Sequence, residues 1–477
     1  MSALASARLG RVHRLLYASG SISGNAISRS LDLWLLFFYA PPADADISRR
    51  AGTLAVGLVL SAVRLIEALD DPLIGYLSDR TRSRLGRRVP YVLAATPLLA
   101  ATFVLLWMPP ELGESATNVV YLFVVLWAFH LCSTLSGGPF ESLLPEIAPR
   151  AEDRIDIVTW QVGLGVIGAL IGLVGAAALK DAIGFQGMAI TVATIALASR
   201  YIALAGAWRP AMAAARVQRA EEERVGRVPG PSLVASLRIC LRNDQFVAFL
   251  PSFILYNMGV LMITGVLPFL AAAVLERGVE GSADFHVPGL GFGLDPVTGM
   301  LAVAIAVVVL LLPVMLRWSL RRGKRIVYAR GMLAGVVAFP LVALVGLLPG
   351  IPLMWQAIMV AALVGVPLAP VQTFPNALIA DITDYDHLTT GARREALYYA
   401  TQATFEKVAA ALAPALLATL LVLGSTTDNA LGIRLVGPVA GLATLGGYLV
   451  FRRYWLPDEV TAESVAAARG RRVARER

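Results

Sequence analysis

The chain has 477 residues, of which 57% are apolar and only 16% charged, with a formal net charge of +8. Soluble domains carry about 25% charged residues, so this composition excludes a disordered chain, a coiled coil and a disulfide scaffold, and leaves no room for a large soluble catalytic domain. Two cysteines, Cys132 and Cys240, are too few for a disulfide framework and imply no structural metal.

Mean hydropathy is +0.69, which points to a membrane protein. A helix needs about 20 mostly apolar residues to cross the hydrocarbon core. Twelve such stretches follow one another, at about 14–40, 51–74, 89–108, 117–144, 156–180, 185–208, 244–275, 297–318, 326–347, 352–379, 394–424 and 431–452. The predicted class is therefore an all-α membrane protein. The first stretch resembles a signal peptide at its start, but it carries Arg29 and Asp32 and no small-residue cleavage site follows, so it reads as a span.

The positive charge is unevenly placed. Arg49, Arg50, Lys180, Arg277 and Arg434 fall in or beside the loops after odd-numbered stretches; Arg29, Arg64, Arg200 and Lys407 fall inside stretches. The other 32 of the 41 Lys and Arg residues lie in the termini and the alternate loops. This asymmetry predicts that both termini are cytoplasmic. It also explains the basic pI of about 9.7 without a nucleic-acid partner.

Residues 209–243 form the longest predicted cytoplasmic connection, and RVQRAEEERVGRVPGP within it is charged and ends in a Pro/Gly turn. It divides the chain into an N-terminal six-helix bundle (1–208) and a C-terminal one (244–452), followed by a basic tail (453–477). The Arg-rich turn GYLSDRTRSRLGRR (75–88) has a weak counterpart, RWSLRRGKR (317–325), six stretches later. Transporters built from such repeats place the substrate site between the halves near the midplane.

Charged residues inside a span are the informative ones, since each costs about 2.5–3.5 kcal/mol at the bilayer centre. On a helix of about 100° per residue, Arg64, Glu67, Asp70 and Asp71 share roughly one third of the second stretch's surface. That face is predicted to line a polar interior. A competing reading puts Asp70 and Asp71 at the end of the helix, before a turn at Pro72–Gly75. The first stretch has a polar stripe of Ser21, Asn25, Ser28, Arg29 and Asp32. The fourth has His130, Thr134, Gly137 and Glu141, in which His130, as a lone histidine, reads first as a hydrogen-bonded core residue. In the second half the charge is sparse. Glu406 and Lys407 lie about 100° apart, and one partner for Lys407 is the acidic cluster of the second stretch. Asn257, Gln372, Thr373 and Asn376 are candidates for substrate contact or for interhelical hydrogen bonds. Clustered carboxylates titrate as a set and are neutralised by a proton or a metal cation, so cation-coupled transport is the natural expectation. One charge crossing 100 mV releases about 2.3 kcal/mol, roughly 50-fold accumulation of a neutral solute. At the predicted inner side, Asp79 with Arg80, Arg87 and Arg88, and Asp381, Asp384 and Asp386 with Arg393 and Arg394, are candidate gate pairs.

Three blocks carry a family resemblance: RLIEALDDPLIGYLSDRTRSRLGRRVPYVL (64–93), GGPFESLLPEI (137–147) and ADITDYDHLTTGARREALYYATQATFEKVAAAL (380–412). They resemble the glycoside–pentoside–hexuronide:cation symporters, the melibiose-permease-like branch of the major facilitator superfamily, with weaker similarity over the whole chain. The resemblance implies two six-helix bundles working by alternating access. It also implies a cation site, whose positions here are Glu67, Asp71, Asp70 and Thr134. Glu67 replaces an aspartate and Asp70 an asparagine. Three carboxylates in one pocket favour a proton over sodium as the coupling ion, with at least one acid protonated. The family's sugar-holding positions fall here on Asn25, Gly137 and Gln161, and an aromatic is replaced by Glu141, so the hydroxyl clamp of a hexose is largely lost. The expected cargo is a sugar, glycoside or uronide. A lysophospholipid or other organic anion is the alternative, because related animal sequences carry lysophospholipids with sodium and Arg29 or Lys407 suit an acidic head.

No H-E-x-x-H, G-x-S-x-G or P-loop motif is present, so enzyme chemistry has no home in the sequence. The remaining competitor to symport is an uncoupled facilitator. The chain is expected to be a monomer of the inner membrane, with no cofactor beyond its coupling ion and with lipid and a small solute as partners.

Overall fold

The computed structural model describes residues 10–81, 83, 85, 88–148, 150–225, 238–275, 285–286, 293–294, 296–391 and 394–476. Within them the regular structure is helical apart from one two-residue antiparallel pairing, β1 (Phe285–His286) with β2 (Gly293–Leu294), in the Gly-rich segment between the seventh and eighth apolar stretches.

The chain divides into two compact units, Met1–Ala40 with Ile47–Gly230, and Pro41–Asp46 with Pro231–Arg477. The first holds α1 (Arg11–Ala18), α2 (Gly20–Tyr39), α3 (Thr53–Arg80), α4 (Val89–Leu105), α5 (Ala116–Ser142), the single turn α6 (Leu144–Ile147), α7 (Ala151–Leu170) and α8 (Ala176–Val225). The second holds α9 (Asp244–Leu270), α10 (Pro296–Arg322), α11 (Lys324–Ala338), α12 (Leu353–Thr373), α13 (Pro375–Thr390), α14 (Glu395–Val422), α15 (Leu431–Phe451) and α16 (Ala462–Glu476).

Among the described residues, eight helical segments are long and apolar enough to cross a membrane. The charged α2 and α3 are not among them. One segment, Asp156–Ala213, contains two of the apolar stretches; the chain leaves helical geometry between them at Gly184 (φ 73°, ψ 174°), where a side chain would be strained.

Two helix ends differ from the sequence expectation. α3 does not stop at Pro72–Gly75 but runs to Arg80. Proline removes one ladder hydrogen bond, which membrane helices tolerate. α8 runs on to Val225, well into the segment 209–243, because that charged stretch is rich in Ala, Arg and Glu, good helix formers. The basic tail likewise contains α16.

In the first unit one apolar cluster joins α1, α4, α5, α6, α7 and α8 through Tyr17, Val92, Phe140, Ile147, Ile157 and Leu204. Tyr17 stacks on Phe140, with ring centroids 4.6 Å apart, and donates its hydroxyl to the Phe140 carbonyl at 2.7 Å. In the second unit Phe249, Tyr256, Tyr328, Phe451 and Tyr454 form a chain of ring contacts across α9, α11 and the end of α15. Buried amides tie loops to helices. Asn118 on α5 donates to Arg50, Glu111 and Gly113 carbonyls at 2.9–3.1 Å, and Gln356 on α12 donates to Leu348 and Ile351 carbonyls, each at 2.8 Å. These bonds satisfy loop carbonyls that no helix or sheet ladder pairs.

Candidate cation and substrate site

The site is built on α2, α3 and α5, and the sequence fixes how α2 presents it. Gly165, Gly168 and Gly172, across the end of α7 and the π-turn that follows it (Ile171–Gly175), let the two backbones approach closely. A Cβ on Gly168 would stand 2.7 Å from the Ile22 carbonyl oxygen, and one on Gly172 would stand 2.9 Å from the Arg29 Cβ. This contact sets the rotation of α2. Asn25 lies against it, with its amide donating to the Ser21 carbonyl at 2.9 Å. Arg29 and Asp32, one and two turns further on, come round to α3.

There the side chains form a ladder of alternating charge. Arg29 Nη1 lies 3.9 Å from Asp32 Oδ2, Asp32 Oδ1 is 3.2 Å from Arg64 Nη2, and Arg64 Nη1 is 3.2 Å from Glu67 Oε2. His130 Nδ1 on α5 closes the series at 3.0 Å from the same Glu67 oxygen. Side-chain exposure falls along it, from 31% at Arg29 through 22% at Asp32 and 20% at Arg64 to 8% at Glu67 and 5% at His130. The ladder therefore has an open end and a buried end. One helical turn along α3 from Glu67, Asp70 accepts a hydrogen bond from Trp127 Nε1 of α5 at 3.3 Å. α5 is itself pinned to α4 by the Thr96–Ser136 hydroxyl pair at 2.9 Å.

Electrostatics explains the arrangement. An isolated charge in the bilayer is costly, and a buried ion pair recovers that cost only with good geometry and further hydrogen bonds. Here each anion sits between two cations or donors. With neutral His130 the four formal charges cancel. One added proton makes the ladder singly positive.

Of the residues singled out from sequence, Arg29, Asp32, Arg64 and Glu67 come together directly. Thr134 is half-buried on α5, one turn past His130. Asp71, Asp79 and Arg80 stand on α3, and their side chains lie outside the described residues, as do Arg87 and Arg393 entirely. Gln161 on α7, Asn257 on α9 and Lys407 on α14 are half-buried; Glu141 and Gln372 are exposed at the ends of α5 and α12. Sequence reasoning missed two members. His130 was expected as a core histidine and proves to be Glu67's partner. Trp127 went unnoticed, although 127, 130, 134 and 141 continue one helical stripe.

At the expected gate, the partners of Arg88 on α3 lie outside the described residues, and the Asp381 pairing brings in a lysine that the sequence did not single out. Arg88 donates to the Ser142 carbonyl, which lies at the end of α5. Asp381 pairs with Lys324 at 2.6 Å, because Gly323 turns the chain so that Lys324 opens α11 beside α13, while Arg393 lies outside the described residues. The Lys324 backbone N–H also donates to Asp458 at 2.7 Å. Asp386 pairs with Arg394 at 3.6 Å as expected, and Asp384 is exposed. Lys324→Ala is expected to change the turnover rate more than the apparent substrate affinity, since it leaves Asp381, whose side chain is only 10% exposed, without its cation. Initial-rate measurements over a substrate series check this, and an unchanged rate counts against a gate.

Among the described residues no three His, Cys, Asp or Glu side chains gather to hold a metal ion. The described side chains of the site meet through ion pairs and hydrogen bonds.

Several known proteins are similar to this chain. An uncharacterized symporter of Synechocystis sp. is 25% identical, over 86% of this chain and 85% of its own. The raffinose carrier protein of Pediococcus pentosaceus is 20% identical over 92% of this chain and 65% of its own. The sodium-dependent lysophosphatidylcholine symporter 1-B of Danio rerio is 27% identical, but only over 35% of this chain and 30% of its own. Among solved structures the nucleoside transporter NupG superposes with a TM-score of 0.65 at 12% identity, over 93% of this chain and 98% of that one, a likeness of fold. A family model described as MFS/sugar transport protein matches residues 16–430. With a helical membrane architecture, a charged ladder shared by the first, second and fourth apolar stretches and this match over most of its length, the chain belongs to the MFS/sugar transport family of integral membrane transporters.

Proposed function

We propose that the protein is a secondary active transporter that couples the inward flow of a cation to symport of a small organic solute by alternating access. In this reading twelve helical segments span the inner membrane as two six-helix bundles, with both termini in the cytoplasm, and a single chain is the working unit. The observation that carries the reading is Glu67, a buried acid held between Arg64 and His130 on a membrane helix. Such an acid is too costly to keep for packing alone.

The cargo is a sugar, glycoside or uronide. The family match and the raffinose-carrier relative support this class. The ladder's open end at Arg29 and Asp32 offers both a donor and an acceptor suited to hydroxyl or carboxylate groups. Counterflow in proteoliposomes with labelled raffinose, melibiose, glucuronide and lysophosphatidylcholine, with and without sodium, tests the assignment. Exchange of one of the carbohydrates supports it. Exchange of the lysolipid alone contradicts it.

Asp71, four residues beyond Glu67 on α3, is assigned to the same cation site. Asp71→Asn is expected to abolish accumulation above equilibrium, at least about tenfold below wild type, while leaving exchange of bound solute. Normal accumulation by this variant would remove Asp71 from the site.

A further inference from the structure

Arg200 is a membrane arginine that the ladder does not use. It lies in the sixth apolar stretch, on α8, and is 6% exposed. Arg29 and Arg64 each stand beside a carboxylate. Among the described residues no carboxylate pairs with Arg200, and its Nε is buried without a hydrogen-bond partner. The guanidinium carbon sits 4.4 Å from the centre of the Phe140 ring. A ring face attracts a cation, but it offers nothing to the five N–H donors in the guanidinium plane. A charge left in this condition inside a span is costly, and an anion brought to it offsets that cost.

The guanidinium is not sealed in. Beside it stands Gly24 of α2, which is exposed. A Cβ there would lie 3.9 Å from Arg200 Nη2 and, its own helix turn aside, would meet nothing else within 4 Å. Nη2 therefore borders the space that a side chain at position 24 would fill. α2 and α5 run antiparallel: Gly20 packs on the Phe140 ring, and further along α2 Asp32 is linked through Arg64 and Glu67 to His130. Gly24 and Gly137 lie between these two levels, one turn from the Gly20–Phe140 contact, and a Cβ on Gly137 would also meet nothing within 4 Å. Gly24, Ser28 and Asp32 fall within about 80° of the α2 surface, and Ser28 is exposed. The opening beside Arg200 thus belongs to the face of α2 that carries the ladder's acid, which cannot be turned to lipid.

We propose that Arg200 is the anion-binding residue of the substrate site, and that it takes a carboxylate of the cargo through the opening at Gly24. This rests on the symport reading and narrows its cargo to a solute with one carboxylate, a uronide in the carbohydrate class. The two oxygens of a carboxylate match two parallel guanidinium donors. One guanidinium balances one negative charge. Glu141, the exposed acid whose field reaches Arg200, opposes a second, which selects a carboxylate over a doubly charged phosphate. Ser28, about 6 Å along the helix axis from Gly24, and the ladder's open end beyond it then meet the hydroxyls of the solute.

Calorimetric titration of the purified full-length protein compares methyl β-glucuronide with methyl β-glucoside, which differ only by a carboxylate in place of a hydroxymethyl group. Wild type is expected to bind the glucuronide at least about tenfold more tightly, the size of one charge-assisted hydrogen bond. Arg200→Gln should lose this preference. Arg200→Lys should keep part of it, since it keeps the charge without the planar fork. Gly24→Val reaches the same site without altering the arginine: its side chain enters the open space, covers Nη2 and should also lose the preference. Equal affinities of wild type for the two glycosides, binding of neither, or a preference kept by Arg200→Gln or Gly24→Val overturns the proposal. Where Arg200→Gln does not elute as a single species, Gly24→Val decides. Tighter binding of glucose 6-phosphate than of the glucuronide would overturn the choice of a carboxylate. Transport separates the two levels of the argument. If glucuronide binding depends on Arg200 but no ion gradient drives uptake, the symport reading falls and the anion site stands. If a gradient drives a neutral sugar equally in wild type and Arg200→Gln, symport stands and the anion site falls.

Discussion

Arg64→Ala is expected to abolish gradient-driven uptake and to lower thermal stability more than any other single change at the site. The guanidinium bridges Asp32 and Glu67 at 3.2 Å each. Removing it leaves two carboxylates near one another, one of them 8% exposed. Breaking a buried pair by deleting one partner costs about 3–5 kcal/mol, which, at 20% exposure for Arg64, we place at the lower end. The penalty is electrostatic, so it should be relieved by removing a neighbouring charge. Arg64→Ala with Asp32→Asn is expected to recover at least half of the lost melting temperature in a detergent-solubilised unfolding assay. If the double variant is no more stable than the single one, the ladder is not what holds these helices together.

Gly172→Leu is expected to yield no folded protein. Its Cβ would collide with the Ala26 carbonyl and lie 2.9 Å from the Arg29 Cβ. Backbone cannot move aside as a flexible side chain does, and overpacking of even a few methylenes costs about 1–3 kcal/mol. The neighbouring Gly163, whose Cβ would meet nothing within 4 Å, is the control. Gly163→Ala should express and elute as wild type does. Equal yields for the two variants would show that the α2–α7 contact is not tight, and would remove the explanation given for the orientation of Arg29 and Asp32.

Much of this architecture is legible in the amino-acid order because the bilayer allows few solutions. Without water, a spanning segment satisfies its backbone groups within itself, so apolar stretches of about 20 residues become helices and the turn at Gly184 falls between the fifth and sixth of them. Charges inside those stretches point to the site for the same reason, and Arg29, Asp32, Arg64 and Glu67 do converge. What the sequence does not disclose is pairing between helices. The period of α3 puts Glu67 on a polar face but cannot say that His130 of α5 meets it. A lone histidine on an apolar helix is more often a packed core residue. Nor does a period reveal that Asp381 takes Lys324, which is 57 residues away in sequence. Helix ends were misread where local chemistry is ambiguous: Pro72 is a stop signal in water and a tolerated interruption in a membrane helix.

The account rests on Glu67 exchanging a positive ion as solute moves. The most direct measurement is uptake of the transported solute into proteoliposomes under an imposed pH gradient, for wild type and Glu67→Gln side by side, with counterflow measured on the same vesicles. The account predicts accumulation by wild type, no accumulation by Glu67→Gln, and counterflow by both. Accumulation by Glu67→Gln to the wild-type level would contradict it.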